Sequence, residues 1–156
     1  MKRASIDIGS NSVLLLACEF NNGMQSELLN LSHITSLGKD LDKTGIFHTD
    51  SMKATYGALL DYKEQLKKIG IEPSEVVATA TEAARVAKNS LEFFKQIKND
   101  LGFNIQIITG EEEAYYTALG VASGLKSNHE SCVIMDIGGA STEFILLNKN
   151  KKKIVS

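Results

Sequence analysis

Apolar positions along this chain come first in short runs broken by turn formers, and later at helical spacing. Ala4 to Ile8, Val13 to Phe20 and Glu27 to Ile34 read as three strands, joined by the turn formers Gly9-Ser10-Asn11 and Asn21-Asn22-Gly23. The polar, glycine-containing stretch "SLGKDLDKTGIFHTD" reads as a loop. A helix then starts near Asp50 with an apolar stripe of Tyr56, Leu59, Leu60, Leu66 and Ile69, and Gly70 stops it. The only proline, Pro73, lies in the connection to a short strand, Val76 to Ala78. "TATEAARVAKN" reads as helical, and Asn89 or Ser90 caps a further helix carrying Leu91, Phe94, Ile97 and Leu101 on one face, with Gly102 after it. Phe103 to Ile108 alternates like a strand and Gly110 to Ser123 reads as a helix. Two or three strands follow from Cys132 onward, with the lysine-rich "NKNKKK" as a solvated hairpin turn between them. Strands interleaved with helices predict an α/β fold whose sheet has a parallel component.

Composition narrows the function classes without naming one. With 156 residues, 43% of them hydrophobic, and a net charge of −2, the chain can bury one core of ordinary domain size, which excludes disorder. No apolar run approaches the ~20 residues that span a bilayer, and "MKRASIDIG" enters a strand pattern at once, so the expectation is a cytoplasmic protein without a membrane partner. Neither a basic face nor a basic amphipathic helix points to nucleic acid. Cys18 and Cys132 lack metal-ligand spacing and read as buried thiols.

The chain carries one unit twice. Asp7-Ile8-Gly9 and Asp136-Ile137-Gly138 each follow an apolar strand, enter a turn of small residues and leave through another apolar strand. In such a turn Gly and Ser let the backbone approach closely, consecutive N–H groups form a concave anion nest, and hydroxyls add donors. Two nests facing each other would grip a phosphate chain, and the Asp at each strand end is placed to hold a divalent cation. A single such unit also reads as an ordinary hairpin turn; its repetition argues for a ligand shared between the copies.

Two further constellations carry chemistry. In "ITGEEEAYYTALGV", Thr109 and Glu112 form a capping box, which gives Glu112 a structural task and leaves Glu113 on another face, where it could serve as a general base in a cleft. The helix macrodipole equally accounts for three carboxylates in a first turn. Thr79 and Glu82 repeat the capping-box spacing. Arg85, in an alanine-rich helix, could reach a phosphate bidentately, or stand as a solvated surface arginine.

Taken in order and at these separations, "IDIGSNS", "ATATEAARVAKN", "TGEEEA" and "DIGGASTE" resemble the exopolyphosphatase and guanosine pentaphosphate phosphatase family, a branch of the acetate and sugar kinase, chaperone ATPase and actin superfamily. "SLGKDLDKTGIF" also resembles that family's Leu-Gly, Leu, Thr-Gly segment. The resemblance implies an actin-like (ribonuclease H-like) lobe, a mixed five-stranded sheet with helices, over residues 1–125. The opening β-hairpin of a second similar lobe would follow over residues 126–156. It implies that Ser10, Asn11 and Ser12 form a first phosphate loop with Asp7 near the metal. Gly138, Gly139, Ser141 and Thr142 would form the second, with Asp136 on the metal side and Glu143 toward the water or metal. Arg85 would help hold the polyphosphate chain, and Glu113 would activate the attacking water. The implied cofactor is Mg²⁺, the substrate polyphosphate or guanosine pentaphosphate, and the assembly a homodimer through the full-length protein.

Departures from the family pattern leave rival classes standing. Ala140 replaces the third glycine usual before Ser-Thr-Glu, which adds a methyl group where a phosphate oxygen approaches. Family members continue well beyond the second loop. A noncatalytic nucleotide or polyphosphate sensor and an ATP-dependent kinase of the same superfamily are therefore alternatives to the hydrolase. A structural fragment is a third, and would expose an apolar patch and self-associate.

Overall fold

The computed structural model describes residues 1–125, 131–139, 142–148 and 153–155, with residues 143, 147, 148 and 153–155 described by backbone alone. Strands β1 (Lys2–Ile8), β2 (Ser12–Asn21) and β3 (Met24–Ile34) form an antiparallel meander. A four-residue helix, α1 (Leu41–Thr44), sits inside the segment read as a loop, and α2 (Thr49–Lys68) follows. A short 3₁₀ turn at Pro73–Glu75 leads to β4 (Val77–Ala80), α3 (Glu82–Val86), α4 (Ser90–Leu101), β5 (Ile105–Ile107) and α5 (Gly110–Gly124). Then come β6 (Ser131–Ile137), β7 (Thr142–Asn148) and β8 (Lys153–Val155).

The first five strands make one mixed sheet in the order β3-β2-β1-β4-β5, with β4 parallel to β1 and β5 parallel to β4. Alternation decides which face is covered. Ala4, Ile6 and Ile8 of β1 and Val13, Leu15 and Ala17 of β2 point to one side and are buried under α2 and α4, which contribute Leu59, Tyr62, Leu66, Phe94, Ile97 and Leu101. The alternating residues Ser5 and Asp7 of β1, with their register partners Leu16 and Leu14 of β2, face the opposite side. The last three strands form an antiparallel sheet, β6-β7-β8. Ile134 and Ile145 of that sheet pack against Ala114 and Ala118 of α5, while Val133, Met135, Ile137, Phe144 and Leu146 stay exposed on its other side.

Several expectations shift. Leu60 and Leu91, placed in apolar stripes, are exposed, and Tyr62 and Phe93 take core positions instead. "TATEAARVAKN" is not one helix: Thr79 and Ala80 belong to β4, because parallel pairing with β1 outweighs the helix propensity of the segment. The Thr79–Glu82 capping box therefore does not form; the residue preceding α3 is Thr81 and its side chain caps nothing. The Thr109–Glu112 box does form, with Thr109 N–H donating to Glu112 Oε2 at 2.8 Å and Glu112 N–H to Thr109 Oγ1 at 3.2 Å. Cys18 is buried, whereas Cys132 is only half-buried because it lies at the edge of the small second cluster. The centre of "NKNKKK", residues 149–152, lies outside the described residues.

Tyr62 ties the helix layer to the sheet. Its ring is fully buried and its hydroxyl donates to the Val13 carbonyl at 2.7 Å, with the Leu31 carbonyl at 3.3 Å. Tyr62→Phe keeps the ring and removes the donor, so urea denaturation is expected to show a loss of about 1–2 kcal/mol. An unchanged midpoint and slope would mean that the hydroxyl contributes no net stability.

Candidate active site

β1 ends in the middle of the mixed sheet, and this places Asp7 beside β4 rather than at an edge. Since Ile6 and Ile8 face the core, Asp7 faces the other way, in register with Thr79. There it lines a cleft of about 600 Å³ together with Ser5, Thr79, Thr81, Glu113, Thr117 and Asp136. Two further carboxylates thus reach the cleft from different elements. The capping box fixes the first turn of α5 and commits Glu112 to the Thr109 amide. Glu113, one position on, points to the cleft, and Tyr116 and Thr117 follow it three and four residues later on the same helix face. Asp136 arrives on β6, held by the Thr117 hydroxyl, which donates to Asp136 Oδ2 at 3.1 Å.

Electrostatics bear out this convergence. Burial, then the negative charges of Glu113 and Asp136, push the Asp7 carboxyl up to about 6. Arg85 supplies the opposing charge. Its Nε and Nη2 donate to Glu82 Oε2 at 3.0 and 2.8 Å, Nη2 also donates to Glu113 Oε2 at 2.9 Å, and Nη1 donates to the Ile108 carbonyl at 2.6 Å. Burial works against the Arg85 charge, but hydrogen bonds from Glu82 and Glu113 outweigh it and its pKa moves up. The side chain is 23% exposed, so the solvated-surface reading of Arg85 does not hold.

Residues that follow the two Asp-Ile-Gly units line a second, smaller groove. Ser10, Asn11 and Gly139 line about 310 Å³ with Ser36, Gly38 and Lys39. A Cβ on Gly139 would come within 3.1 Å of Asn11 Cβ, so the two loops touch backbone to side chain. The 36–39 loop is stapled to the turn between β1 and β2 by Thr35 and Ser36 N–H groups donating to the Asn11 carbonyl and by Gly38 N–H donating to the Ser10 carbonyl at 2.8 Å. A Cβ on Gly38 would meet Ser10 Cβ at 3.0 Å. At either glycine an added Cβ would press on its neighbour more tightly than most Cβ contacts do.

Among the described residues, Ser12, Gly138 and Thr142 are not in the lining of either depression. Ser12 begins β2, and its carbonyl accepts from Gly9 N–H at 2.9 Å. Gly138 follows β6, and Thr142 opens β7 opposite Ile137 with an exposed side chain. The Glu143 backbone pairs with Asp136, while Ala140 and Ser141 lie outside the described residues. The sequence reading missed Glu82, Thr117 and the 36–39 loop. Glu82 and Arg85 are three apart on one helix, and Glu113 and Thr117 four apart, spacings that carry the signal.

The raised Asp7 carboxyl has a defined consequence for stability. Its native value lies above the ordinary 3.8, so between about pH 4 and 6 the native state holds more protons than the unfolded chain, and stability falls as pH rises through that window. In metal-free buffer Asp7→Asn is expected to melt higher than the parent at about pH 8, with the difference vanishing below about pH 4. A constant difference across that range would contradict the assignment.

Residues 19–156 match the Ppx/GppA phosphatase family. The bifunctional 3-dehydroquinate synthase/phosphatase of Fusobacterium nucleatum is 34% identical over 160 residues, 97% of this chain and 24% of that protein. The guanosine-5'-triphosphate,3'-diphosphate pyrophosphatase of Aliivibrio fischeri is 36% identical over 143 residues, 92% of this chain and 28% of that protein. A Ppx/GppA family member from Aquifex aeolicus superposes with a TM-score of 0.84 at 38% identity, over 98% of this chain and 49% of that one. An exopolyphosphatase from Cytophaga hutchinsonii superposes with a TM-score of 0.90 at 28% identity, over 97% of this chain and 48% of that one. The chain thus spans about a quarter of these curated relatives and about half of these solved chains. The mixed five-stranded sheet with its helices, followed by a further hairpin, is the actin-like fold of those structures. With most of its length matched by the family and nearly all of it superposed on family structures, the chain belongs to the Ppx/GppA phosphatase family.

Proposed function

We propose that this chain provides the first lobe and the opening of the second lobe of a phosphoanhydride hydrolase that releases the terminal phosphate of polyphosphate or guanosine pentaphosphate. The observation that carries the reading is the meeting of Asp7, Glu113 and Asp136 at one cleft, beside the contact between the two Asp-Ile-Gly loops. Relatives named as exopolyphosphatase and as guanosine-5'-triphosphate,3'-diphosphate pyrophosphatase support the substrate class. The exposed apolar sides of both sheets are where the remainder of such a protein would pack. Among the described residues, no helix is long and apolar enough to cross a membrane.

In this reading Glu113 orients a water and takes its proton as the water oxygen bonds to the terminal phosphorus. The anhydride P–O bond breaks, and orthophosphate leaves. Arg85 has a positioning task, since its guanidinium already grips Glu113 and Glu82. Glu143 stands on the strand paired with Asp136 and is assigned here to the water or metal.

The donors also suit Mg²⁺. Asp7 feels the negative charge of two neighbouring carboxylates, which a cation would relieve. Among the described residues no three His, Cys, Asp or Glu side chains form a complete cage, and Mg²⁺ favours one or two carboxylates with waters and substrate phosphates completing its shell. Asp7 and Asp136 would hold the ion, which when bound would neutralise charge on the phosphate oxygens.

The test is phosphate release from polyphosphate and from guanosine pentaphosphate, with and without Mg²⁺, by this chain and by a version extended through a second lobe. Release by the extended form is expected to fall roughly 10²-fold or more in Glu113→Gln, with little change in substrate affinity. Undiminished release would remove Glu113 from the water-activating role, and binding without release by every form would turn the reading toward a sensor.

A further inference from the structure

Among the described residues, the cleft and the loop groove share no lining residue, and they carry opposite charge. The cleft presents Asp7, Glu113 and Asp136. Among the described residues of the groove the one charged side chain is Lys39, accompanied by Ser10, Asn11, Ser36 and the backbone of Gly38 and Gly139. Asp40, the acid next to it, has its carboxylate engaged by Lys43 at 2.9 Å, and among the described residues Lys39 has no salt-bridge partner. A cation is thus favoured at the first depression and an anion at the second.

Geometry links the two. Each Asp-Ile-Gly unit runs from the cleft into the groove within three residues, Asp7 to Ser10 and Asp136 to Gly139. Three residues of backbone reach at most roughly 10 Å, so successive phosphates of one chain lying along either unit can meet both depressions. The 36–39 loop forms the far wall of the groove and cannot drift from it, because Asn11 and Ser10 carbonyls hold it and the Ser51 hydroxyl, itself buried, donates to the Ser36 carbonyl at 2.8 Å. Ser36 sits at φ 50° to within a degree, a left-handed conformation that a non-glycine residue keeps only when such contacts impose it.

We propose that Lys39 and the 36–39 loop form a subsite for phosphates of a phosphoanhydride chain lying behind the one that enters the carboxylate-lined cleft. The inference rests on the polyphosphate reading above and adds to it a residue that selects for chain length. Lys39 contributes a mobile point charge suited to successive phosphates, and Ser36 and Ser10 hydroxyls flank it.

Equilibrium binding of orthophosphate, tripolyphosphate and long-chain polyphosphate to this chain, at several salt concentrations with Mg²⁺ present, tests the proposal. Lys39 is exposed, so Lys39→Gln and Lys39→Arg leave the core untouched. Lys39→Gln is expected to weaken long-chain polyphosphate binding by about tenfold and to flatten its log–log salt dependence by about 1, while Lys39→Arg restores both. Orthophosphate affinity stays the same in all three proteins. If the parent binds long chains and Lys39→Gln binds them equally well, the subsite is overturned while the polyphosphate reading stands. Equal weakening for orthophosphate would overturn the placement behind the cleft. A parent that binds no polyphosphate at all would overturn both the subsite and the reading on which it rests.

Discussion

The two-residue alternation of β1, set between an antiparallel partner on one side and a parallel partner on the other, is the constraint on which this structure turns. Ile6 and Ile8 must enter the core under α2 and α4, so Asp7 between them has to face the opposite side. Because β1 is central in the sheet, that side is walled by β4 and roofed by α5, and a carboxylate there is partly withdrawn from water. A register slip of one residue would bury the aspartate in the helix-covered core and expose two isoleucines. The fold thereby protects the position of Asp7 with the same apolar contacts that stabilise the sheet.

Gathering carboxylates in one cleft has an electrostatic cost, visible in the raised Asp7 carboxyl. The chain offsets part of it with Arg85, whose guanidinium joins Glu82 to Glu113 and is itself anchored to the carbonyl that precedes the α5 cap. α5 is the junction of the whole arrangement. Its first turn places Glu113, its next turn holds Asp136 through Thr117, and its alanines pack the second sheet through Ile134 and Ile145. Small residues at 114 and 118 let that sheet come close enough for Asp136 to share the cleft with a strand of the other sheet.

Charge is divided between the two depressions. Acidic groups cluster in the cleft, and among the described residues hydroxyls, backbone and one lysine line the neighbouring groove. The two glycines at close approach, Gly38 and Gly139, bring three loops together, their backbone lying against the side chains of Ser10 and Asn11. The apolar residues left open on both sheets belong to the same economy, since roughly half the length of the matched structures lies outside the aligned region.

Much of this was legible in the order of residues. The strand meander, the α5 capping box, the repeated Asp-Ile-Gly units and the choice of Glu113 over Glu112 all follow from local rules, because turns, caps and alternation are decided within a few residues. Leu60, Leu91 and the "TATEAARVAKN" segment were not legible, because parallel pairing of β4 with β1 and the packing of α2 and α4 override local propensity. The partners of Arg85, the staple between the 36–39 loop and Ser10, and the division of the site into a negative cleft and a positive groove join residues far apart in sequence. The sequence by itself determined the turns, caps and alternation that set candidate side chains on one face or another; only the tertiary structure decided which of them share a cavity, because that depends on long-range register and helix packing that no short stretch encodes.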